Sequence, residues 1–284
     1  MNLKKALSRA REILAGNNIE DATLEAELLL EYALKISRVQ LYLDLEHELT
    51  PQQEQKFWRL VERRLGGEPT AYITGHCEFY SLDFYVDHTV LIPRPESELL
   101  VEKALELAQN RHLPTIADIG TGCGAIAISL ALELPWAKIY ATDISAAALE
   151  VALVNCQKHG VTDRIRLLQG DMLEPLPEPI DLIIANLPYV KKSEIIPKSF
   201  EPRLALDGGA EGTERISQLC RQANSKLSPG GHLLLEMGQG QSRVVTTLLH
   251  SLFPDGEIEV TADLGGIERV LRLSLTASKD KVVG

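Results

Sequence analysis

The sequence of 284 residues has few cysteines, a shortage of positive charge and no long apolar run, and each lack removes a class of explanation. Cys77, Cys123, Cys156 and Cys220 lie far apart, with no Cys-x-x-Cys pair and no histidine at metal-ligand spacing. Neither a disulfide framework nor a metal site is expected, and the four read as reduced, mostly buried thiols. Lysine and arginine together number 29 against 40 acidic residues, a net charge of −11. That balance works against tight generic binding to RNA or DNA, where phosphate neutralisation supplies most of the affinity, although it leaves room for a local basic patch. No segment approaches the ~20 apolar residues of a membrane span. Met1 to Leu14 has neither the apolar core nor the cleavage site of a secretory signal. Internal repeats and low-complexity tracts are absent too. The expectation is a soluble cytoplasmic protein that makes no use of a membrane.

What is present is enough apolar residue, 45% of the chain, for a medium core plus a small second domain. From Leu3 to about Leu65 the apolar positions recur three and four apart, as at Leu24, Leu28, Ala33 and Leu34, which predicts a small helical bundle. Asp21 or Thr23 is a candidate cap for one helix. Thr50-Pro51 starts another, which ends at Gly66-Gly67. The aromatic and β-branched run Phe79 to Val86, followed by Val90-Leu91-Ile92, predicts a short hairpin that Pro93 and Pro95 stop. After Glu96 helix and strand alternate: a helix near 96–110, strands at 115–119, 137–142, 165–169 and 181–185, and helices near 124–134 and 145–159. Such alternation predicts an α/β fold with a parallel sheet covered on both faces. Leu233 to Glu236, Ile258 to Val260 and Val270 to Leu273 add three strands, the last two pairing antiparallel. Ser278 to Gly284 reads as a loose tail.

Two motifs carry chemistry. The loop Asp118-Ile119-Gly120-Thr121-Gly122-Cys123-Gly124 falls where the first strand of the sheet hands over to a helix, so its glycines let backbone approach a ligand closely. Asp143 ends the second strand, where a carboxylate accepts from both hydroxyls of a ribose. An acidic residue at 118 disfavours a pyrophosphate and suits the ammonium end of S-adenosylmethionine, directly or through water. The spacing Gly-x-Gly-x-Gly also departs from the dinucleotide fingerprint. Asp171 and Met172, after the third strand, are candidates to accept from the adenine amine and to pack on its ring; a plain loop aspartate is the alternative. The second motif, Asn186-Leu187-Pro188-Tyr189, follows the apolar run Leu182 to Ala185. An amide or aromatic amine nitrogen is a poor nucleophile, so a site that methylates one needs fixed acceptors for its N–H groups. The Asn186 side-chain oxygen and the next carbonyl offer those, Pro188 limits the turn, and Tyr189 gives a flat face. An ordinary turn at a strand end is the competing reading. No role is assigned to Glu236, His76, His88 or His112.

With these residues in view the chain resembles the HemK or PrmC family, the protein-glutamine N-methyltransferases that modify class I peptide chain release factors. The resemblance covers almost the whole chain. It rests on Arg63-Arg64, Gly67-Glu68-Pro69 and Ala71 to Gly75, on Leu91-Ile92-Pro93-Arg94-Pro95-Glu96-Ser97-Glu98, on the Asp118 loop, and on Glu201 to Gly209. Leu235-Glu236-Met237-Gly238 with Gln241, and Asp263 to Gly266 with Arg269, extend it. The resemblance implies three parts: a helical domain that docks the release factor, 1–70; a β-hairpin linker, 71–95; and a seven-stranded Rossmann-like class I methyltransferase domain, 96–284. S-adenosylmethionine would be held by Gly120, Thr121, Gly122, Cys123, Gly124, Asp143, Met172 and Asn186. Asn186, Leu187, Pro188 and Tyr189 would hold the glutamine of a Gly-Gly-Gln loop. Two departures stand out, since the family usually has proline at Leu187 and threonine at Ser97. Leu187 also makes the motif similar to that of rRNA adenine methyltransferases. An adenine N-methyltransferase acting on rRNA or DNA, and a scaffold that has lost catalysis, are the rival expectations.

Overall fold

A computed structural model describes residues 1–108 and 115–276. The proposed tail from Ser278, the last two positions of the helix expected near 96–110, and His112 fall outside the described residues. The chain divides into two compact units, Met1–His76 and Cys77–Gly284.

The first unit is helical: α1 (Leu3–Gly16), α2 (Ala22–Leu34), α3 (Arg38–Leu43), α4 (Pro51–Leu65) and α5 (Thr70–Thr74). α1, α3 and α4 start at a residue whose side chain caps them, Asn2, Ser37 and Thr50. The Asn2 side chain accepts from the Lys5 N–H, and Thr50 and Gln53 form a reciprocal capping box with Pro51 in the first turn. A cap of this kind contributes about 1 kcal/mol. Asp21 occupies the cap position of α2 without a side-chain hydrogen bond. Leu3, Leu7 and Leu14 of α1 pack with Leu29 and Leu30 of α2 and Phe57 of α4, all buried.

A hairpin of β1 (His76–Phe79), which starts on the last residue of the first unit, and β2 (Leu82–Tyr85) precedes a seven-stranded sheet in the second unit. The hairpin corrects the sequence expectation. Its turn is Tyr80-Ser81, both with positive φ (51° and 58°), and Val90 to Ile92 forms no strand. Such a turn ordinarily asks for Asn-Gly, so no local signal in the sequence points to it. The Tyr80 N–H donates to Glu98 Oε1 at 2.8 Å, which anchors it.

The sheet contains β3 (Thr115–Ile119), β4 (Lys138–Asp143), β5 (Ile165–Gln169), β6 (Ile180–Ala185), β7 (Leu227–Glu236), β8 (Glu257–Ala262) and β9 (Glu268–Ser274), in the order β5-β4-β3-β6-β7-β9-β8. All neighbours are parallel except the two pairs that involve β9. α6 (Glu98–Ala108), α7 (Ala125–Glu133) and α8 (Ala146–Lys158) pack one on the next and against β3 to β7; α9 (Glu214–Lys226) and α10 (Ser242–Leu252) pack together against β7 and β9. Ile183 and Leu233 bury against Ile216, Leu219, Val245 and Leu249, while Leu182 and Ile184 on the alternate face are buried as well. Burial on both faces is why these strands read as continuous apolar runs. β7 is longer than the expected Leu233 to Glu236, because Pro229-Gly230-Gly231 is absorbed by a register shift against β6. The sequence reading assigned no element to α9 or α10. Among the described residues, no helix is long and apolar enough to cross a membrane.

Candidate active site

The strand order reverses beside β3, since β4 lies on one side of it and β6 on the other. At such a switch point the loops leaving neighbouring strands diverge and open a crevice at the carboxyl edge. Here the crevice is a cavity of about 220 Å³. Its walls include Gly120, Thr121, Gly122 and Cys123 after β3, Asp143 at the end of β4, Asp171 and Met172 after β5, and Asn186, Leu187 and Pro188 after β6. Residues from four separate strand ends thus meet in one space.

The glycine loop is shaped for close approach. Gly120, Gly122 and Gly124 all have positive φ, and a side chain at Gly122 would meet nothing within 4 Å, so open space lies over that peptide. Gly124 is packed instead, its missing Cβ position lying 3.1 Å from Ile128 and 3.3 Å from Ala152. Asn155, fully buried on α8, ties the loop to the hairpin by donating from Nδ2 to the carbonyls of Cys123 and Tyr85, both at 2.9 Å. The Cys123 thiol is buried and pushed up to about 12, so it stays protonated and inert.

The carboxylates divide into two kinds. Asp143 lines the cavity and accepts from the Gly122 N–H at 3.0 Å and the Ser145 N–H at 2.9 Å, one on each oxygen, and a carboxylate with about four acceptor positions keeps capacity for a ligand. Burial raises its pKa, and the N–H groups of Ser145, Gly122 and Ile144 oppose that rise. Asp118 behaves otherwise. It is 1% exposed, accepts from the Thr121 hydroxyl at 2.6 Å and the Ala127 N–H at 3.3 Å, and does not line the cavity. These two bonds hold the loop, which is what this structure shows of the carboxylate that the sequence offers to an ammonium group, directly or through water. Asp171 lines the cavity while accepting from Gln218 Nε2 at 2.8 Å. Met172 has φ of 52°, an uncommon value for a non-glycine residue, and its carbonyl accepts from the Thr142 hydroxyl at 2.9 Å. Local strain of this type costs roughly 1 kcal/mol and gathers at ligand sites.

Around Asn186 to Tyr189 a buried hydrogen-bond chain appears that the sequence did not reveal. Asn186 Nδ2 donates to Ser97 Oγ at 2.9 Å, Ser97 donates to Glu236 Oε2 at 2.5 Å, and the Tyr189 hydroxyl donates to Glu236 Oε1 at 3.1 Å. Ser97 and Glu236 are 3% and 1% exposed. Burial raises the pKa of Glu236; the bonds from Ser97 and Tyr189 and the charge of Arg269 restrain the rise, and Glu96 adds to it. Burial and the neighbouring Glu236 carboxylate raise Tyr189, which keeps its phenol a donor. The one available signal was a charged residue directly after Leu233-Leu234-Leu235 in a buried strand.

Further ties hold the turn and the segments around it. Arg94 Nη2 donates to both oxygens of Glu201, at 2.6 and 2.7 Å, fastening the Ile-Pro-Arg-Pro-Glu segment to the stretch that precedes Arg203. Gln241 donates to the carbonyls of Tyr189 at 3.0 Å and Gly212 at 3.1 Å, while the Val190 N–H donates to the Leu206 carbonyl at 3.1 Å and the Val190 carbonyl accepts from the Gly208 N–H at 2.9 Å.

The space over Gly122, the remaining acceptor capacity of Asp143 and the flanking Met172 suit a nucleoside cofactor, so the fit of S-adenosylmethionine rests on these groups. A glycine loop after the first strand of this sheet, an acidic residue after the second and an antiparallel last strand define the fold of S-adenosylmethionine-dependent methyltransferases. Residues 5–75 match the PrmC N-terminal domain and residues 95–202 the Methyltransferase small domain. A release factor glutamine methyltransferase from Moorella thermoacetica is 44% identical over 274 residues, covering 95% of this chain and 97% of the relative. One from Chlorobaculum tepidum is 40% identical over 272 residues, 90% of this chain and 92% of that one. A methyltransferase structure from Pyrococcus furiosus shares the fold, with a TM-score of 0.54 at 21% identity over 69% of this chain and 90% of that chain. The chain belongs to the release factor glutamine methyltransferase family.

Proposed function

We propose that this protein transfers a methyl group from S-adenosylmethionine to the side-chain amide nitrogen of the glutamine in the Gly-Gly-Gln loop of class I peptide chain release factors. The observation that carries the reading is the Asn186 carboxamide, whose nitrogen is committed to Ser97, in the same cavity as Gly120 to Cys123 and Asp143. Asp143 holds the ribose hydroxyls, the loop backbone approaches the cofactor, and Asp171 and Met172 flank its adenine. When bound, the cofactor supplies an electrophilic methyl group.

On the substrate side, Asn186 Oδ1 and the Leu187 carbonyl accept the two amide hydrogens. Those acceptors hold the nitrogen in one orientation and stabilise positive charge as it builds there. Tyr189 and Pro188 flank the planar amide. No side chain has to remove a proton before attack, because a methylated amide nitrogen is acidic enough to lose it afterwards. A backbone carbonyl is kept whether residue 187 is leucine or proline. The helical residues 1–70 dock the release factor, 71–95 link them to the methyltransferase domain from 96, and the reaction belongs to the cytoplasm.

The test is transfer of radiolabelled methyl to a purified release factor, with the Gly-Gly-Gln glutamine changed to alanine as control. Label that disappears with the glutamine supports the reading, and Asn186→Ala should lower turnover by about 10²–10³. Label on added RNA instead of the release factor would replace this reading with adenine methylation.

A further inference from the structure

The buried chain from Asn186 to Glu236 has a direction, and the direction bears on which atom of Asn186 meets the substrate. We infer that Ser97 and Glu236 are positioning residues that fix the polarity of this chain, so that the Asn186 carboxamide turns its oxygen, and not its nitrogen, to the substrate amide. The inference deepens the proposed reaction and rests on Asn186 acting there as an acceptor.

An asparagine side chain is nearly symmetric in shape, and rotation by half a turn exchanges an acceptor for a donor at almost no steric cost. The wrong rotamer would set N–H against N–H at the substrate. What breaks the symmetry lies one layer behind the cavity wall. A carboxylate has no proton to give, so Glu236 accepts from both of its neighbours. Ser97 owns one hydroxyl hydrogen and places it on Glu236 at 2.5 Å. Only lone pairs of Ser97 Oγ are then left for Asn186, and the group that meets them at 2.9 Å must be the Nδ2 donor. Oδ1 is thereby the end left for a ligand. The same carboxylate takes the Tyr189 hydroxyl at 3.1 Å, so both ends of the Asn186 to Tyr189 motif are referred to one buried anion.

The fold makes this anchor rigid. Ala185 pairs in register with Leu235, so the residues that follow, Asn186 and Glu236, leave adjacent parallel strands side by side. Ser97 closes the 3-10 turn Pro95–Ser97 at the start of α6, and the Arg94 to Glu201 pair secures the segment before it. Ser97 borders the cavity, whereas Glu236 stands behind it and touches no ligand space. A hydroxyl is all that position 97 requires, and threonine offers the same donor and acceptor.

Full-length Ser97→Ala, Ser97→Thr and Ser97→Cys decide the matter, each assayed for kcat and KM on a release factor, for S-adenosylmethionine affinity and for Tm. Ser97→Ala should lower kcat by about 10- to 100-fold with cofactor affinity within about threefold, since two amide orientations now compete. Ser97→Thr should return kcat to within about threefold. Ser97→Cys keeps the volume with a weak acceptor, so it should lose kcat even if the alanine variant folds poorly. In an Asn186→Ala background, Ser97→Ala should bring no further loss of kcat, because its effect runs through that side chain. Losses in the two backgrounds that simply multiply, or a Ser97→Ala enzyme with wild-type kcat, would overturn the inference while leaving the reaction intact. A wild-type enzyme inert toward every release factor would instead remove the reaction on which the inference rests.

Discussion

Gly208 is a position at which the reaction depends directly on packing away from the reacting groups. A Cβ added there would lie 2.7 Å from Tyr189 Cα and 2.8 Å from the carbonyl oxygens of Pro188 and Gly212. All three neighbours are backbone, so no rotamer change relieves the clash. Ordinary contact begins at 3.4 Å, so Gly208→Ala must displace the Asn186 to Tyr189 turn by several tenths of an ångström. The turn cannot simply yield, because Gln241 bonds the Tyr189 carbonyl from one side and Glu236 holds its hydroxyl from the other. Misplacement of a positioning group by ~1 Å costs about 10²-fold in rate, and overpacking costs about 1–3 kcal/mol of stability. The expected variant therefore has kcat reduced by roughly 10- to 100-fold and a lower Tm. Its affinity for S-adenosylmethionine should stay within about threefold, since Asp143 and the Gly122 peptide lie at other strand ends. Single-turnover methyl transfer, calorimetric cofactor binding and thermal melting separate the three effects. A Gly208→Ala enzyme with wild-type single-turnover rate and unchanged Tm would refute the argument that this glycine presses on the turn.

Asp143→Ala should weaken S-adenosylmethionine binding by about 10- to 100-fold, the equivalent of about 1.5–3 kcal/mol for hydrogen bonds to a charged group, read by calorimetry. Leu187→Pro should keep kcat within about threefold, because the acceptor at 187 is a backbone carbonyl; a loss beyond about 100-fold would show that the leucine side chain, packed over Gly120, is needed. Asp118 yields a pH dependence with a definite sign. Burial pushes it up to about 6 from an ordinary 3.8, against the bonds from Thr121 and Ala127, and Asp143 adds to the rise. The folded chain thus holds this proton more tightly than the unfolded one. The group subtracts stability above pH 6, and the penalty, at most about 3 kcal/mol, fades as pH falls toward 3.8. Asp118→Asn should accordingly raise Tm by several degrees at pH 8 relative to wild type and by much less at pH 4.5. An advantage independent of pH would count against it.

The sequence alone determined the strands of the sheet, the helices α6 to α8 that alternate with them and the place of the cofactor loop, but not α9 and α10. Strand and helix boundaries in the second unit came from apolar runs, glycines and caps, all of which act over three or four residues, and Thr50-Pro51 started α4 as its local chemistry required. Local signals failed where local preference was overridden. Tyr80-Ser81 turns a hairpin without Asn or Gly because Glu98 takes the Tyr80 N–H, and Pro229-Gly230-Gly231 is drawn into β7 by its pairing with β6. Asp118 sits where its sequence position placed it, but burial behind the loop, and not the motif, sets what it touches. The anchor of Asn186 was beyond any such reading. Ser97 and Glu236 are 139 positions apart and Asn186 is 89 from Ser97, and only the lateral order of β6 and β7, with α6 beginning beside them, brings the three within hydrogen-bond distance. Propensity decides what a short stretch becomes, whereas the pairing of distant strands decides which buried polar groups must satisfy one another, and it is the second that orients the amide at this site.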